Sequence, residues 1–121
     1  MIPISSTQTI PTEVQLAVDA LDDRRAKNIR VLDLTDVSSS LSYFIIATGE
    51  SSLQLKALED SVKDKLKTAG IPPKAIEGPS QSWTLVDYGF VIVHIMSDEA
   101  REFYDLEGLW ADAAELEVVP N

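Results

Sequence analysis

Residues 43–48 read Tyr-Phe-Ile-Ile-Ala-Thr, a nearly unbroken apolar run. An extended segment alternates its side chains between two faces, and this one has almost nothing polar to show on either, so it reads as a strand covered on both sides and central in its sheet. Gly49 breaks the run. Ser51 and Gln54 then stand at the spacing of a capping box, in which two side chains satisfy free N–H groups at a helix start. The apolar residues that follow, Leu55, Leu58, Val62, Leu66 and Ala69, recur at helical spacing, and Gly70 with Pro72-Pro73 stops the helix.

The other elements fall around this pair. Thr12 and Gln15 repeat the capping-box spacing, and Val14, Ala17, Val18 and Leu21 predict a helix over 12–27 whose charged end, Asp22 to Lys27, lies in water. Ile29–Leu34 alternates as a strand, ended by Asp36 and the serines 38–40. Three extended pieces follow at about 74–77, Trp83–Asp87 and Phe90–Ser97, the last two joined by a Tyr88-Gly89 turn. Ser97 caps a short helix opened by Asp98 and Glu99, and Leu106, Leu109, Trp110 and Ala113 add a final amphipathic turn or two. The order α-β-β-α-β-β-β-α predicts a single α/β (α+β) domain with a mixed sheet flanked by helices. The expected divisions are a flexible terminus at 1–11, the domain at 12–112 and a tail at 113–121.

Charge and composition then limit what such a domain does. Twenty acidic and ten basic residues give a net charge of −10, a field that repels nucleic-acid backbones and anionic membranes. The excess is concentrated at the end: residues 98–121 hold eight acids and one base. A basic partner therefore meets that segment first. The absence of cysteine removes disulfides, zinc ribbons and thiol nucleophiles. Without a long apolar span or a basic leader, the chain reads as cytoplasmic.

Catalytic and metal-binding patterns are poorly served. His94 is the only histidine and lies inside an apolar strand, where a structural or interface role outweighs a catalytic base. Asp33 and Asp36, three apart, do not share a strand face, and Asp98 with Glu99 is explained by a helix start. No glycine-rich phosphate loop is present, and no cofactor or metal is expected. The informative feature is aromatic clustering: Trp83, Tyr88, Phe90, Phe103, Tyr104 and Trp110 lie within residues 83–110, beside the acidic segment. Alternation puts Trp83, Leu85 and Asp87 on one face of the hairpin, an aromatic anchor with a carboxylate rim suited to a basic protein.

Three strings carry a resemblance. Residues 43–52 (YFIIATGESS), residues 83–89 (WTLVDYG) running into Val91-Ile92-Val93-His94, and residues 101–107 (REFYDLE) with Leu109-Trp110 occur in order and at matching intervals, with 32–39 (LDLTDVSS) in keeping. Together they resemble the Iojap family of ribosomal silencing factors over about residues 12–112. That resemblance implies a nucleotidyltransferase-like core without its catalytic residues, and a factor that is not an enzyme. It implies binding to the large ribosomal subunit through the large-subunit protein numbered fourteen, a block to subunit joining and lower translation when nutrients are short. Carried onto this sequence, the implied partner-facing residues are Trp83, Asp87, Tyr88, His94, Arg101, Glu102, Tyr104 and Leu106. The chain departs from the family pattern at Phe90 and in the variable turn 76–82. The competing readings are a metal-dependent nucleotidyltransferase-like enzyme, suggested by fold analogy alone, and an acidic adaptor that forms a weak homodimer through the same hairpin face.

Overall fold

The computed structural model describes residues 3–5, 10–77 and 82–118. Its elements in chain order are β1 (Ile4–Ser5), α1 (Thr12–Asp23), β2 (Lys27–Asp33), β3 (Tyr43–Thr48), α2 (Ser52–Thr68), β4 (Ala75–Glu77), β5 (Trp83–Asp87), β6 (Val91–Met96), α3 (Asp98–Tyr104), α4 (Leu106–Leu109) and β7 (Ala114–Val118). The seven strands form one mixed sheet in the order β1-β7-β2-β3-β6-β5-β4. Only the β3–β6 pair is parallel; every other neighbouring pair is antiparallel. The chain belongs to the expected class, with β3 at the centre of the sheet and all of its residues buried.

Alternation along β3 divides the interior into two layers. Tyr43, Ile45 and Ala47 point toward α1 and α2, where Val14, Ala17, Val18 and Leu21 of one helix and Leu55, Leu58, Val62 and Leu66 of the other close the main core. Phe44 and Ile46 point the other way, into a smaller layer with Leu32, Leu34, Met96 and Ala100, edged by Leu106, Trp110 and Ala113. The first face is covered by two long helices. The second is covered only in part, by α3, α4 and the segment that follows them.

Helix starts depart from the sequence reading in an instructive way. At α2 the Ser51 hydroxyl accepts from the Gln54 N–H at 3.1 Å, as expected, but the Gln54 amide oxygen accepts from the N–H of Glu50 at 2.6 Å, one residue upstream of the box. At α1 no box forms: Pro11 occupies the cap position, its carbonyl takes the N–H groups of Val14 and Gln15, and the Gln15 side chain donates to Asp19 instead. Proline fixes φ in the helical range and has no N–H to satisfy, so the start moves back by one residue. The same helix ends at Asp23, short of the expected Lys27, because Arg25 turns into the left-handed region at φ 62° and Ala26 donates back to Leu21.

The larger differences lie at the two ends. Residues 4–5 and 114–118, expected in a flexible terminus and a tail, are sheet strands: Leu116 pairs with Val31, Glu115 with Leu32, and Ile4 with Val118. Residues 1–2, 6–9 and 119–121 of those segments, and 78–81 of the variable turn, lie outside the described residues. Strand β7 is held to the small layer by charge as well as by its ladder. Arg30 reaches Glu115 and, at 2.6 Å, Glu107, which also accepts from Arg101 at 3.2 Å. Burial works to raise the Glu107 carboxyl, but hydrogen bonds from Arg101 and Arg30 outweigh it and hold the group below its usual range. No described helix is long and apolar enough to cross a membrane.

Among the described side chains of β7, Leu116 is the buried one, and it packs into the main core. Leu116→Ala is expected to lower the unfolding free energy by about 2–4 kcal/mol, measured by urea denaturation, the usual loss for a truncated core leucine. An unchanged midpoint would mean that the last strand is not part of the cooperative fold.

Candidate functional site

Strands β5 and β6 build the open part of the second face. Their register sets Trp83 opposite Met96, Leu85 opposite His94 and Asp87 opposite Ile92, and all six side chains project away from α1 and α2. Ser97 ends β6 and starts α3, its hydroxyl accepting from the Ala100 N–H at 3.1 Å. That cap brings α3 back over the sheet, so that the ring of Tyr104 lies on the indole of Trp83, 4.5 Å between centroids. Phe103 meets Tyr104 edge-on at 5.0 Å and is 81% exposed. Tyr104 is 50% exposed and Leu109 73% exposed, and Asp98, Glu99, Glu102 and Asp105 of the same segment are exposed as well. A shallow groove between Phe103, Tyr104, Ala100, Glu99, Ser97 and Ser82 runs beside the half-buried indole.

Beneath the indole lies His94, 3% exposed. Its Nδ1 accepts the indole N–H of Trp83 at 3.3 Å, and its ring meets the edge of Phe44 at 4.7 Å, which in turn meets Trp110 at 5.7 Å. An imidazole that accepts at Nδ1 carries its proton on Nε2, and that Nε2 has no hydrogen-bond partner among the described residues. Burial in the apolar layer pushes the imidazole down to about 4, so it is neutral near pH 7. With one nitrogen committed to the indole and the ring sealed from solvent, it is not placed to exchange protons with a substrate.

The eight residues singled out from the sequence separate accordingly. Trp83, His94 and Tyr104 are brought together by ring contacts. Glu102 is exposed on the helix that carries Tyr104, and Leu106 is half-buried against the small layer. Asp87 shares the Trp83 face but lies four residues along the strand, about 13 Å away at the usual rise. Its carboxylate accepts the Gly89 N–H at 2.7 Å and shapes the turn, where Gly89 adopts φ +95°. Two of the eight are buried. His94 is covered by the indole, and Tyr88 points through to the opposite face, 5% exposed in the main core, where burial pushes its phenol up to about 12. Arg101 is turned inward, donating to the Thr48 hydroxyl at 2.8 Å and to Glu107, so it braces α3 and α4.

Phe103 and Leu109 were not among those eight, yet they are the most exposed apolar side chains of this face. The signal was available: on a helix opened by Asp98 and Glu99, Phe103 falls near Glu99 and Glu102 on the wet side. Asp33 accepts from the N–H and hydroxyl of Thr35, at 3.0 and 2.6 Å, which accounts for its position in a strand-end turn. Among the described residues no cluster of histidine, aspartate and glutamate is arranged to hold a metal ion.

Fold and face together describe a small mixed-sheet α/β domain with exposed aromatic rings beside exposed carboxylates on its less covered face. The family described as "Ribosomal silencing factor during starvation" (RsfS) matches residues 7–121, and the chain belongs to that family. It is 45% identical over 97 residues to the ribosomal silencing factor RsfS of Chromobacterium violaceum, covering 79% of this chain and 80% of the relative. A crystal structure of a Chromobacterium violaceum protein superposes with a TM-score of 0.81 at 42% identity, covering 86% of this chain and 88% of that one. A more distant relative is the mouse protein named "Mitochondrial assembly of ribosomal large subunit protein 1", 31% identical over 102 residues, 81% of this chain and 45% of the relative. The Iojap resemblance is thus borne out, and the fold with it.

The buried imidazole gives the protein a characteristic acid response. Between pH 6.5 and about 4 the unfolded chain takes up a proton at residue 94 that the folded chain refuses, so stability falls as pH drops through that window. The loss attributable to this one group reaches about 3 kcal/mol. Urea denaturation across the window is expected to show a steeper decline for the parent than for His94→Asn; parallel profiles would contradict the buried neutral assignment.

Proposed function

We propose that this protein silences translation by attaching its Trp83–Tyr104 face to the large ribosomal subunit, at the ribosomal protein numbered fourteen, and obstructing the small subunit. No chemistry is required of it. A folded body of this size on the joining surface is sufficient, and the state it maintains, with unjoined subunits, lowers protein synthesis when nutrients are short. The cytoplasm is where such a factor acts. Membership of the silencing-factor family supports the ribosomal role, and the name of the mouse relative supports the choice of the large subunit.

The observation that carries the site is the half-buried Trp83 indole, packed against Tyr104 at a tilt of 46° beside a helix whose Asp98, Glu99 and Glu102 are exposed. Ribosomal surfaces are rich in lysine and arginine. Opposite charge speeds the encounter, while the desolvated aromatic centre slows departure. Phe103, so exposed on the same helix, extends the apolar centre toward the acidic rim. Those exposed rings also support a weak homodimer that pairs through the same face and competes with the ribosome at high concentration. Light scattering over a concentration series tests it: a constant mass excludes self-association.

Purified subunits in a sucrose gradient are expected to remain separate at saturating protein, and normal joining would defeat the proposal. Trp83→Ala, folded by circular dichroism, is expected to weaken co-sedimentation with large subunits by about 2–4 kcal/mol, the range for a central aromatic anchor. Unchanged binding would remove the indole from the interface.

A further inference from the structure

The indole of Trp83 is held on three sides. Tyr104 lies against it, Met96 and the small layer support its base, and its N–H is directed into the sheet toward His94. His94 is itself fixed by the edge of Phe44, which Trp110 backs from beyond. A row of ring contacts thus runs from Trp110 through the small layer to the exposed aromatic surface. The row has one polar member, and it is an expensive one. A buried imidazole with an unpartnered Nε2 costs about 1–3 kcal/mol relative to a satisfied group, whereas phenylalanine or leucine would fill the same space among Phe44, Ile46 and Met96 without that cost. What an apolar side chain would not supply is an acceptor for the indole N–H.

We propose that His94 is a positioning residue for the recognition face: through Nδ1 it fixes the depth and tilt of the Trp83 indole, so that the ring meets the partner already ordered. The inference rests on the proposed role of Trp83 as anchor. A tryptophan has two side-chain torsions, and the Tyr104 ring, inclined at 46° to the indole, does not by itself fix both. The directed hydrogen bond removes the remaining freedom before binding, and that ordering need not then be supplied by the complex. Because the acceptor lies beneath the sheet surface, His94 acts without touching the partner. The neutral tautomer required for this is the one that the geometry shows.

The test combines a spectroscopic reading of the ring with binding to purified large subunits. His94→Phe keeps a ring against Phe44 but removes the acceptor; His94→Asn restores an acceptor near the position of Nδ1. The Trp83 indole N–H resonance, assigned against Trp83→Phe, is expected to move upfield and exchange faster with water in His94→Phe, and to return toward the parent in His94→Asn. Affinity for large subunits is expected to drop about fivefold to tenfold in His94→Phe, as for one lost hydrogen bond. It should recover in His94→Asn, and a Trp83→Ala protein should lose nothing more when His94→Phe is added. If His94→Phe does not fold, His94→Gln, whose acceptor reaches toward the Nε2 end, replaces it with the same expectation. An indole resonance unchanged by loss of the acceptor overturns the positioning role alone. So does a further loss of binding in the Trp83→Ala background, which would mean that His94 acts by another route. Full-strength binding by Trp83→Ala itself would instead overturn the anchor reading, and with it the consequence for binding.

Discussion

Burial of β3 on both faces is the constraint from which the rest follows. Six consecutive residues that offer no side to water require cover above and below, and a short chain divides that cover unequally. Helices α1 and α2 take one face completely. The other receives two short helices and the segment around Trp110, enough to seal Phe44, Ile46 and Leu32 but not enough to reach across β5. The uncovered remainder is where Trp83, Leu85 and Ile92 stay half-exposed. The proposed recognition face is therefore the part of a two-sided core that the described chain leaves open, bounded by the helix that covers its neighbour.

That arrangement ties the proposed binding surface to the folding core. Trp83 and Tyr104 are surface residues resting on buried ones, and the same rings that close the small layer support the indole from below. The ion-pair cluster of Arg30, Arg101, Glu107 and Glu115 plays the corresponding part at the other end of the layer, joining α3, α4 and β7 to β2. Both arginines are paired inside this cluster, and Arg101 is the one base of residues 98–121, so the carboxylates of that segment outside the cluster have no base of the same segment to meet. A surface of that sign beside exposed aromatic rings is suited to basic protein and poorly suited to bare nucleic acid.

Much of the fold was legible because it rests on local rules. The run 43–48, the stop at Gly49, the Ser51 and Ser97 caps and the alternation of 83–87 each express a preference that acts within a few residues, and each appears where the spacing puts it. The misses are long-range. Ala114–Val118 does alternate, yet so short and acidic a stretch becomes a strand only because β2 offers it an open edge, and Ile4–Ser5 only because β7 then offers the next. At Thr12 the capping pattern was present but proline upstream offered a better start, a competition between two local rules that composition does not decide.

For the site the division is similar. The sequence by itself determined which residue types are gathered, namely the aromatics and carboxylates of 83–110, and which face of β5 carries Trp83, since side-chain alternation is a property of the extended backbone. The family too was determined at that level, because ordered strings at fixed intervals are a property of the chain. Only the tertiary structure decided which of those residues reach solvent. It turned Tyr88 into the main core, drew Arg101 inward to Thr48 and Glu107, and set His94 beneath the indole. Burial depends on what packs from distant parts of the chain, and no spacing within a strand or helix encodes how far the covering helix extends.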